Sequence, residues 1–477
     1  MTLKARITAI DRFIKGCRED GIYDDLNACC VMAGWDSLAG ALTPLKGATP
    51  TNSGFIATDY DRGGIGIAGD GTSYINSNRD NSDDGQDDQH LALFVASPSS
   101  DGKVLAGRGL FTDATTIYRI GTYAYFRNRS GSSGARAGAG TSSGFYGSSR
   151  NDSSQFYVRA AESTGAAAIA STGVIGGDIY IFTSNGYAPG SVNTDATLAF
   201  YSIGSSLGSD PATGLAALDA RVSTLMADLR AIEEAGFDRD AIAYIRAVEE
   251  ADGAYLETSV KTAINNLVSG LKSDGLWESM ASTCLLCGPR TLAGALVPLR
   301  GDAPTSYGFV EGDFDRSNGI TGDGTSYLDS NRANDADPQN DKHNAGFLTS
   351  ISGVAAVFGS GVTVAANYDY IDFFEGTRVG SRSASNQTGI TPVAGMQSVS
   401  RNNAANFQYR CSGTSGTLAR ESVTPDSQNV LILARNSDPV SSISQHTIAF
   451  YSIGTSLDLA KLDSHVSAYV TAIGAAL

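Results

Sequence analysis

Basic charge is scarce in this chain. Its 34 Lys and Arg stand against 50 Asp and Glu, a formal net charge of −16, and no basic tract offsets that field. Nucleic acid held by phosphate neutralisation is therefore not expected as a partner. No apolar run has the length needed to span a bilayer, so membrane insertion is not expected either. The opening "MTLKARITAIDRFIKG" is amphipathic and lacks the apolar core of a signal peptide, which points to synthesis in a reducing cytoplasm. Cysteine is rare too. The six thiols read as buried, and a bridge between the neighbours Cys29 and Cys30 would be strained.

What is abundant is glycine, at 55 residues, crowded together with Ser and Asn. That composition implies many tight turns and hence β-rich domains. A hydrophobic content of 42% with 18% charged residues suits a folded chain, and 477 residues exceed one ordinary core, so two or more domains are expected.

The chain repeats itself. "GDGTSYINSNR" (69–79) returns as "GDGTSYLDSNR" (322–332), "GFIATDYDR" (54–62) as "GFVEGDFDR" (308–316), "SRNDSSQFYVR" (149–159) as "SRNNAANFQYR" (400–410), and "TLAFYSIGSSL" (197–207) as "TIAFYSIGTSL" (447–457). Matches in one order at a nearly constant offset mean tandem duplication of a whole domain. Each copy opens on a helix (Ile7, Ile10, Phe13, Ile14 and Cys17 in one; Val260, Ile264, Leu267, Val268 and Leu271 in the other) that an Asp-Gly pair breaks. A β-rich body follows, with strand-like runs such as "HLALFVAS", "GDIYIFTS" and "NVLILAR", and a helix closes the unit. The expected division is 1–29 helical, 30–207 first β body, 208–283 helical connector, 284–457 second β body, and 458–477 C-terminal helix. The connector lacks a long Gly/Ser or Pro tract and reads as semi-rigid. Leu218, Val222 and Leu225, with Ile242, Ile245 and Val248, form stripes that either pack on their own body or join chains together. No heptad run is long enough to specify oligomer state.

In "GDGTSY" the glycines permit positive φ, and the Asp between them accepts backbone hydrogen bonds ahead of it, so the phrase reads as a turn feeding a core strand. Arg79 and Arg332 end those strands, and Asp61-Arg62 and Asp315-Arg316 read as ion-paired loop anchors. The tract "DNSDDGQDDQH" supplies Asp83, Asp84, Asp87 and Asp88, weak calcium candidates set against the commoner reading of a solvated acidic loop. One histidine per copy, His90 and His343, is thin for zinc. Cys284 and Cys287 form a lone C-x-x-C that reads as buried thiols. "GIGIAG" (64–69) matches a dinucleotide fingerprint but leads into a strand, and "GTSSG" (140–144) matches a nucleophile elbow inside a Gly/Ser tract; neither has a counterpart in the second copy.

"LAGALVPLRGDAPT", "GDGTSYLDSNRANDADPQNDKH" and "AFYSIGTSLDLAKLDSHV" resemble a module of bacteriophage and prophage virion proteins whose body is similar to the concanavalin A-like (laminin-G-like) β-sandwich. The resemblance covers nearly the whole chain. It implies two jelly-roll sandwiches in tandem on helical supports, a non-enzymatic structural role in the virion, assembly with other virion proteins and with further copies of the chain, a trimer suiting a fibre, and recognition of a host-surface glycan. A tail fibre or receptor-binding component is the first expectation. A capsid decoration protein is the alternative, and a glycan-degrading enzyme a weaker one.

Glycan-cleaving enzymes of that fold carry paired carboxylates on one strand. No E-x-D-x-E occurs here, and Glu162 is the sole Glu of the first β body. Asp59/Asp61 and Asp313/Asp315 have the two-residue spacing, but in a turn-like context beside Arg. For recognition rather than cleavage, "TIYRIGTYAYFRNR" offers Tyr118, Tyr123 and Tyr125, and "ANYDYIDFFEG" offers Tyr368 and Tyr370. Tyrosines suit such surfaces because an apolar ring face and a polar tip act together. The two copies diverge in these stretches while their framework repeats, so differing surfaces are expected there.

Overall fold

The repeated phrase fixes the start of each inner strand. Asp70 accepts the backbone N–H groups of Thr72 and Ser73, and Asp323 those of Thr325 and Ser326, closing the same turn twice. The strands Tyr74–Asp80 and Tyr327–Ala333 follow. Ser77 and Ser330 then donate to the carbonyls of Ile179 and Val430, each at 2.6 Å, and Asn78 and Asn331 take up φ of 53° and 55°. Asn tolerates that left-handed region better than bulkier residues. Arg79 and Arg332 close the phrase by pairing with the buried Asp84 and Asp337. The aspartate and serine of the motif hold backbone, while Ile75 and Leu328 enter the cores.

The computed structural model describes residues 3–61, 65–109, 111–187, 192–360, 368–374, 376–385, 387–437 and 439–477, the side chains of 368, 387 and 388 aside. Helices among them are α1 (Leu3–Glu19), α2 (Leu38–Ala41), α3 (Pro211–Glu233), α4 (Arg239–Asp252), α5 (Thr258–Ser273), α6 (Leu292–Ala295) and α7 (Leu459–Ala476). The chain divides into two compact units, one of residues 1–236 and 253–258, the other of 237–252 and 259–477. The segment expected as one helical connector thus holds three helices, with α4 and α5 belonging largely to the second unit. The β bodies also begin earlier than 30 and 284, because Leu26–Val31 and Met280–Leu285 are already sheet strands.

Each unit is a sandwich of two antiparallel sheets, the jelly-roll architecture expected from the sequence. In the first unit one sheet runs Ser163–Ala167, Phe156–Ala160, Gly144–Arg150, Gln89–Ser97 and Thr197–Gly204, whose far edge takes Leu26–Val31 and Gly66–Ala68. The other runs Gly134–Ala137, Tyr123–Ser130, Ala114–Ile120, Val104–Arg108, Asp178–Ile181, Tyr74–Asp80 and Thr51–Ser53. The second unit repeats both orders. Inward residues such as Ile75, Leu93, Ile117, Phe126, Ile181 and Tyr201 fill the space between the sheets.

The outer face of the first sheet is covered by helix. Leu215, Leu218, Val222, Leu225 and Leu229 of α3 pack with Phe13 and Cys17 of α1 onto Ala92, Phe94 and Phe200. Burial of each such side chain stabilises the fold by about 1.5–3 kcal/mol. Leu218, Val222 and Leu225 are therefore core of their own unit and are not available as a surface between chains; Ile245 and Val248 are likewise buried. Among the described residues no helix covers the outer face of the second sheet in this way.

Two buried arginines per unit hold the long loops. Arg150 donates to the carbonyls of Asn128, Asp152, Gln155 and Ile169, and Arg401 to those of Ser381, Asn403, Ala404, Asn406 and Arg420. A planar fork with five donors suits this role, which a lysine could not fill.

Candidate functional site

The uncovered sheet of each unit is where side chains reach solvent in an ordered array. In the first unit Tyr74 stacks on Tyr180 with centroids 4.8 Å apart, and Asn76 donates to Asp178 at 2.8 Å beside them. In the second, Tyr327 stacks on Tyr307, again at 4.8 Å, and Asn429 donates to Asp329 at 3.2 Å. The first ring comes from the same place in the repeat. The second ring comes from opposite neighbours, since Tyr307 lies across from Tyr327 where Ser53 lies across from Tyr74, while Leu431 sits where Tyr180 would. Partial burial of Tyr180 and Tyr327, with a ring or carboxylate alongside, raises both phenols above their ordinary range.

Further along the first unit's sheet lies a second aromatic cluster. Tyr118 and Tyr125 stack at 5.2 Å with ring planes 14° apart, Tyr123 meets Tyr125 at 6.0 Å, and the Arg127 guanidinium lies 5.3 Å from the Tyr118 ring and 5.8 Å from that of Phe111. Tyr123 and Phe111 are 43% and 64% exposed. The structure thus brings all three tyrosines expected from this stretch onto one solvent face.

Strand pairing shows what stands there in the second unit. Ile117 faces Ala106 and Phe126 in the first copy, as Ile371 faces Phe358 and Val379 in the second. The stacked pair Tyr118/Tyr125 therefore becomes Asp372/Arg378, an ion pair at 2.7 Å. Tyr370 is not a surface ring: it is 1% exposed, covered by Arg435 and Arg378 whose guanidinium carbons lie 4.5 and 5.5 Å from its centroid. Its expected role as a recognition aromatic is corrected accordingly. The Tyr368 side chain lies outside the described residues.

The acidic candidates serve the fold. Asp83 and Asp84 hold Arg79, and Asp88 accepts the Ser206 N–H. Asp87 lies in the same loop without joining them at a common point. Among the described residues no three His, Cys, Asp or Glu side chains converge as a metal set. Asp59 and Asp313 accept the Ile56 and Val310 N–H groups, Asp61 binds Thr258, and Asp315 binds Ser317 and Asn318. Three of the four carboxylates with glycosidase spacing close local turns, and the fourth, Asp61, holds the start of α5. Arg316 donates to the carbonyls of Gly288 and Pro289, whereas Arg62 lies outside the described residues, as do Gly63 and Gly64, the latter the first residue of "GIGIAG".

His90 and His343 are strand anchors. Nδ1 of each donates to a carbonyl, of Ser205 or Thr455, so Nε2 accepts from Ser202 or Ser452. Burial pushes both imidazoles down, His343 to about 4. The six cysteines are unpaired and buried, and burial lifts the Cys284 and Cys287 thiols to about 12, far from the thiolate that zinc or redox chemistry needs. Two grooves among the described residues offer no acid–base pair. A groove of about 640 Å³ has one carboxylate, Asp228, held by Arg12; one of about 300 Å³ has Asp458, which caps α7.

No family model and no curated protein matches the chain. Solved structures give distant likenesses only. It is similar to mouse laminin α1 domains LG4–5 at 8% identity, over 78% of this chain and 83% of that one, with a TM-score of 0.21. It is similar to the botulinum neurotoxin serotype D binding domain at 10% identity, over 92% and 98% of the two chains, with a TM-score of 0.31. The Trypanosoma rangeli sialidase gives 8% identity over 83% and 61%, with a TM-score of 0.27. Superpositions this loose transfer no activity, and the site stands on its own geometry.

Sequence reading missed Tyr180 and Tyr307. Both were visible as tyrosines on strand-like runs, but only the pairing of strands shows which rings meet.

Proposed function

We propose that the chain is a non-enzymatic recognition protein of a bacteriophage particle, a tail fibre or receptor-binding component. Its two sandwich modules would present different faces to a host-surface glycan. The observation that carries this reading is the solvent-facing sheet of the first unit, which bears Tyr118, Tyr123, Tyr125 and Arg127 and, further along, the Tyr74/Tyr180 stack and the Asn76–Asp178 pair. Exposed ring faces pack on the apolar faces of sugars, and amide and carboxylate groups bind their hydroxyls. The engagement of Asp59, Asp313 and Asp315 in turns, and of Asp61 with Thr258, supports binding without cleavage. Two weak modules on one chain would gain by avidity.

The test is binding of fluorescent bacterial polysaccharides to the full chain, with release of reducing ends followed in the same samples. Saturable binding that Tyr118→Ala and Tyr125→Ala weaken about tenfold each, without sugar release, is the expected result. Robust hydrolysis would overturn the non-enzymatic reading. Gold labelling of intact particles separates tail from capsid, and label over the head would remove the fibre assignment in favour of decoration.

A further inference from the structure

We infer that each unit carries one copy of the same sugar subsite on its open sheet: a stacked tyrosine pair with an amide–carboxylate pair beside it. Its ligand is a neutral hexopyranose, held by an apolar ring face and two neighbouring hydroxyls. The inference rests on the glycan-recognition reading and adds to it a second, equivalent site.

The repeat aligns Tyr74 with Tyr327, Asn76 with Asp329 and Asp178 with Asn429. Ile75, Ile179 and Ile181, like Leu328, Val430 and Ile432, enter the cores, so the residues alternating with them face outward. The two copies build this face differently and reach the same result. The ring on the shared tyrosine is Tyr180 from one neighbouring strand in the first unit and Tyr307 from the other neighbour in the second, at 4.8 Å in both. Amide and carboxylate have also traded strands: Asn76 donates to Asp178, and Asn429 donates to Asp329.

Backbone support explains half of this. Asn76 Oδ1 accepts the N–H of Asn78 and Asp329 Oδ1 that of Asn331, both at 2.8 Å, a role that either residue type fills. That role places no demand on residue 178 or 429, yet each completes a pair of one amide and one carboxylate. All four side chains are half-buried. Among the described residues Asp178 Oδ1 and Asn429 Oδ1 accept no hydrogen bond, and each amide uses one of its two N–H groups.

A ring face packs on the C–H face of a pyranose, while the spare oxygen and spare N–H accept from one hydroxyl and donate to the next. Tyr307 is 46% exposed on its strand Thr305–Tyr307 at the sheet edge, and only the small Ser53 lies across from Tyr74. Charge sets the class. A carboxylate stands in each subsite, so a uronate, sulfate or phosphate would meet like charge, whereas a neutral hydroxyl donates to it. The Tyr118/Tyr125 stack gives way to the Asp372–Arg378 ion pair in the second unit, so the first unit adds contacts to a subsite that both share.

The experiment titrates the full chain, labelled with fluorotyrosine, with methyl glycosides of glucose, galactose and mannose, followed by fluorine NMR. One of these sugars should move the signals of Tyr74 and Tyr180 together with those of Tyr307 and Tyr327, with Kd values within about threefold of each other. Tyr74→Ala should weaken the first response about tenfold and spare the second, and Tyr327→Ala the reverse. The uronide of the same sugar should bind about tenfold more weakly. Tyr201 and Tyr451, buried one in each unit, report that the variants stay folded. A wild-type response at one pair only, or at neither with any of the three sugars, would overturn the inference whatever the variants do, as would a uronide that binds as well as the hexoside. Polysaccharide binding that still depends on Tyr118 and Tyr125 would then leave the broader reading standing, and its absence would remove both.

Discussion

Among the positions at which the interiors of the two units differ is one pair that is neutral in one and charged in the other, and exchanging that pair tests how buried charge acts in this fold. In the first unit Thr115 donates to Gln89 at 2.6 Å in a neutral, buried contact. Strand register puts Lys342 and Asp369 in the same places in the second unit. Both are fully buried, with Lys342 Nζ 3.9 Å from Asp369 Oδ2 and Arg382 Nε 3.8 Å from the same oxygen. At an effective dielectric of 20 the lysine–aspartate attraction is about 4 kcal/mol, whereas desolvation costs several kcal/mol per ion. The pair is therefore near balance, and its loss as a unit is far cheaper than the loss of one member. Asp369→Thr alone leaves Lys342 facing Arg382 and should cost about 3–5 kcal/mol; Lys342→Gln with Asp369→Thr should be neutral or stabilising by about 1–4 kcal/mol. Each unit has one tryptophan, Trp35 or Trp277, so urea unfolding of a Trp35→Phe background reads the second unit alone. The pH profile adds a sign. Burial pushes Lys342 down from 10.5 to about 8, so between those values the unfolded chain binds more protons and stability rises with pH. That rise, about 3 kcal/mol in order of magnitude, should vanish in the double variant. Equal and additive losses from the two single changes would refute the reasoning.

Three further outcomes follow from the same packing. His343, held neutral with its imidazole pushed down to about 4, makes the unfolded chain bind more protons between pH 4 and 6.5; the second unit should lose stability as pH falls through that window, and His343→Gln should flatten the profile of urea midpoints. Arg401→Lys should cost about 3–5 kcal/mol in the Trp277 transition, because a lysine cannot serve the five carbonyls and leaves them buried without donors. Gly319→Ala should unfold the second unit at room temperature, since a Cβ there lies 2.1 Å from the Ile448 carbonyl oxygen at φ 103°, whereas Gly312→Ala, with nothing within 4 Å, should leave the melting temperature unchanged.

The duplication, the β bodies and their helical flanks were legible because they depend on local signals: turn residues, strand alternation and apolar helical spacing. "TIAFYSIG" is a strand from end to end, and Phe13 and Cys17 of the expected α1 stripe join the core over the sheet with Ile10 and Ile14 partly buried beside them, while Ile7 is exposed. The surface was legible only in part. Tyr118, Tyr123 and Tyr125 sit on alternating positions of a hairpin, so their common face follows from period two. Tyr370 obeys the same alternation yet is covered, because Arg378 and Arg435 reach it from other strands. The partners of Tyr74 and Tyr327 are likewise set by cross-strand neighbours far away in sequence. The acidic loop misled in a similar way, since its carboxylates meet Arg79 and a backbone N–H rather than each other.

The exchange of Gln89/Thr115 for Lys342/Asp369 also bears on how the chain avoids tangling. Two domains of one fold on one polypeptide are prone to trade strands while folding, and here the candidates are close in sequence: "TLAFYSIGSSL" and "TIAFYSIGTSL" would fit either sheet. The strand beside them is not interchangeable. Were Gln89–Ser97 to enter the second unit, Asp369 would be buried without its lysine; were Lys342–Ser350 to enter the first, an ammonium would be buried against Thr115. Either error buries a charge without its strand partner in a dry interior, so correct partners are favoured at a layer of the core where the copies do not match.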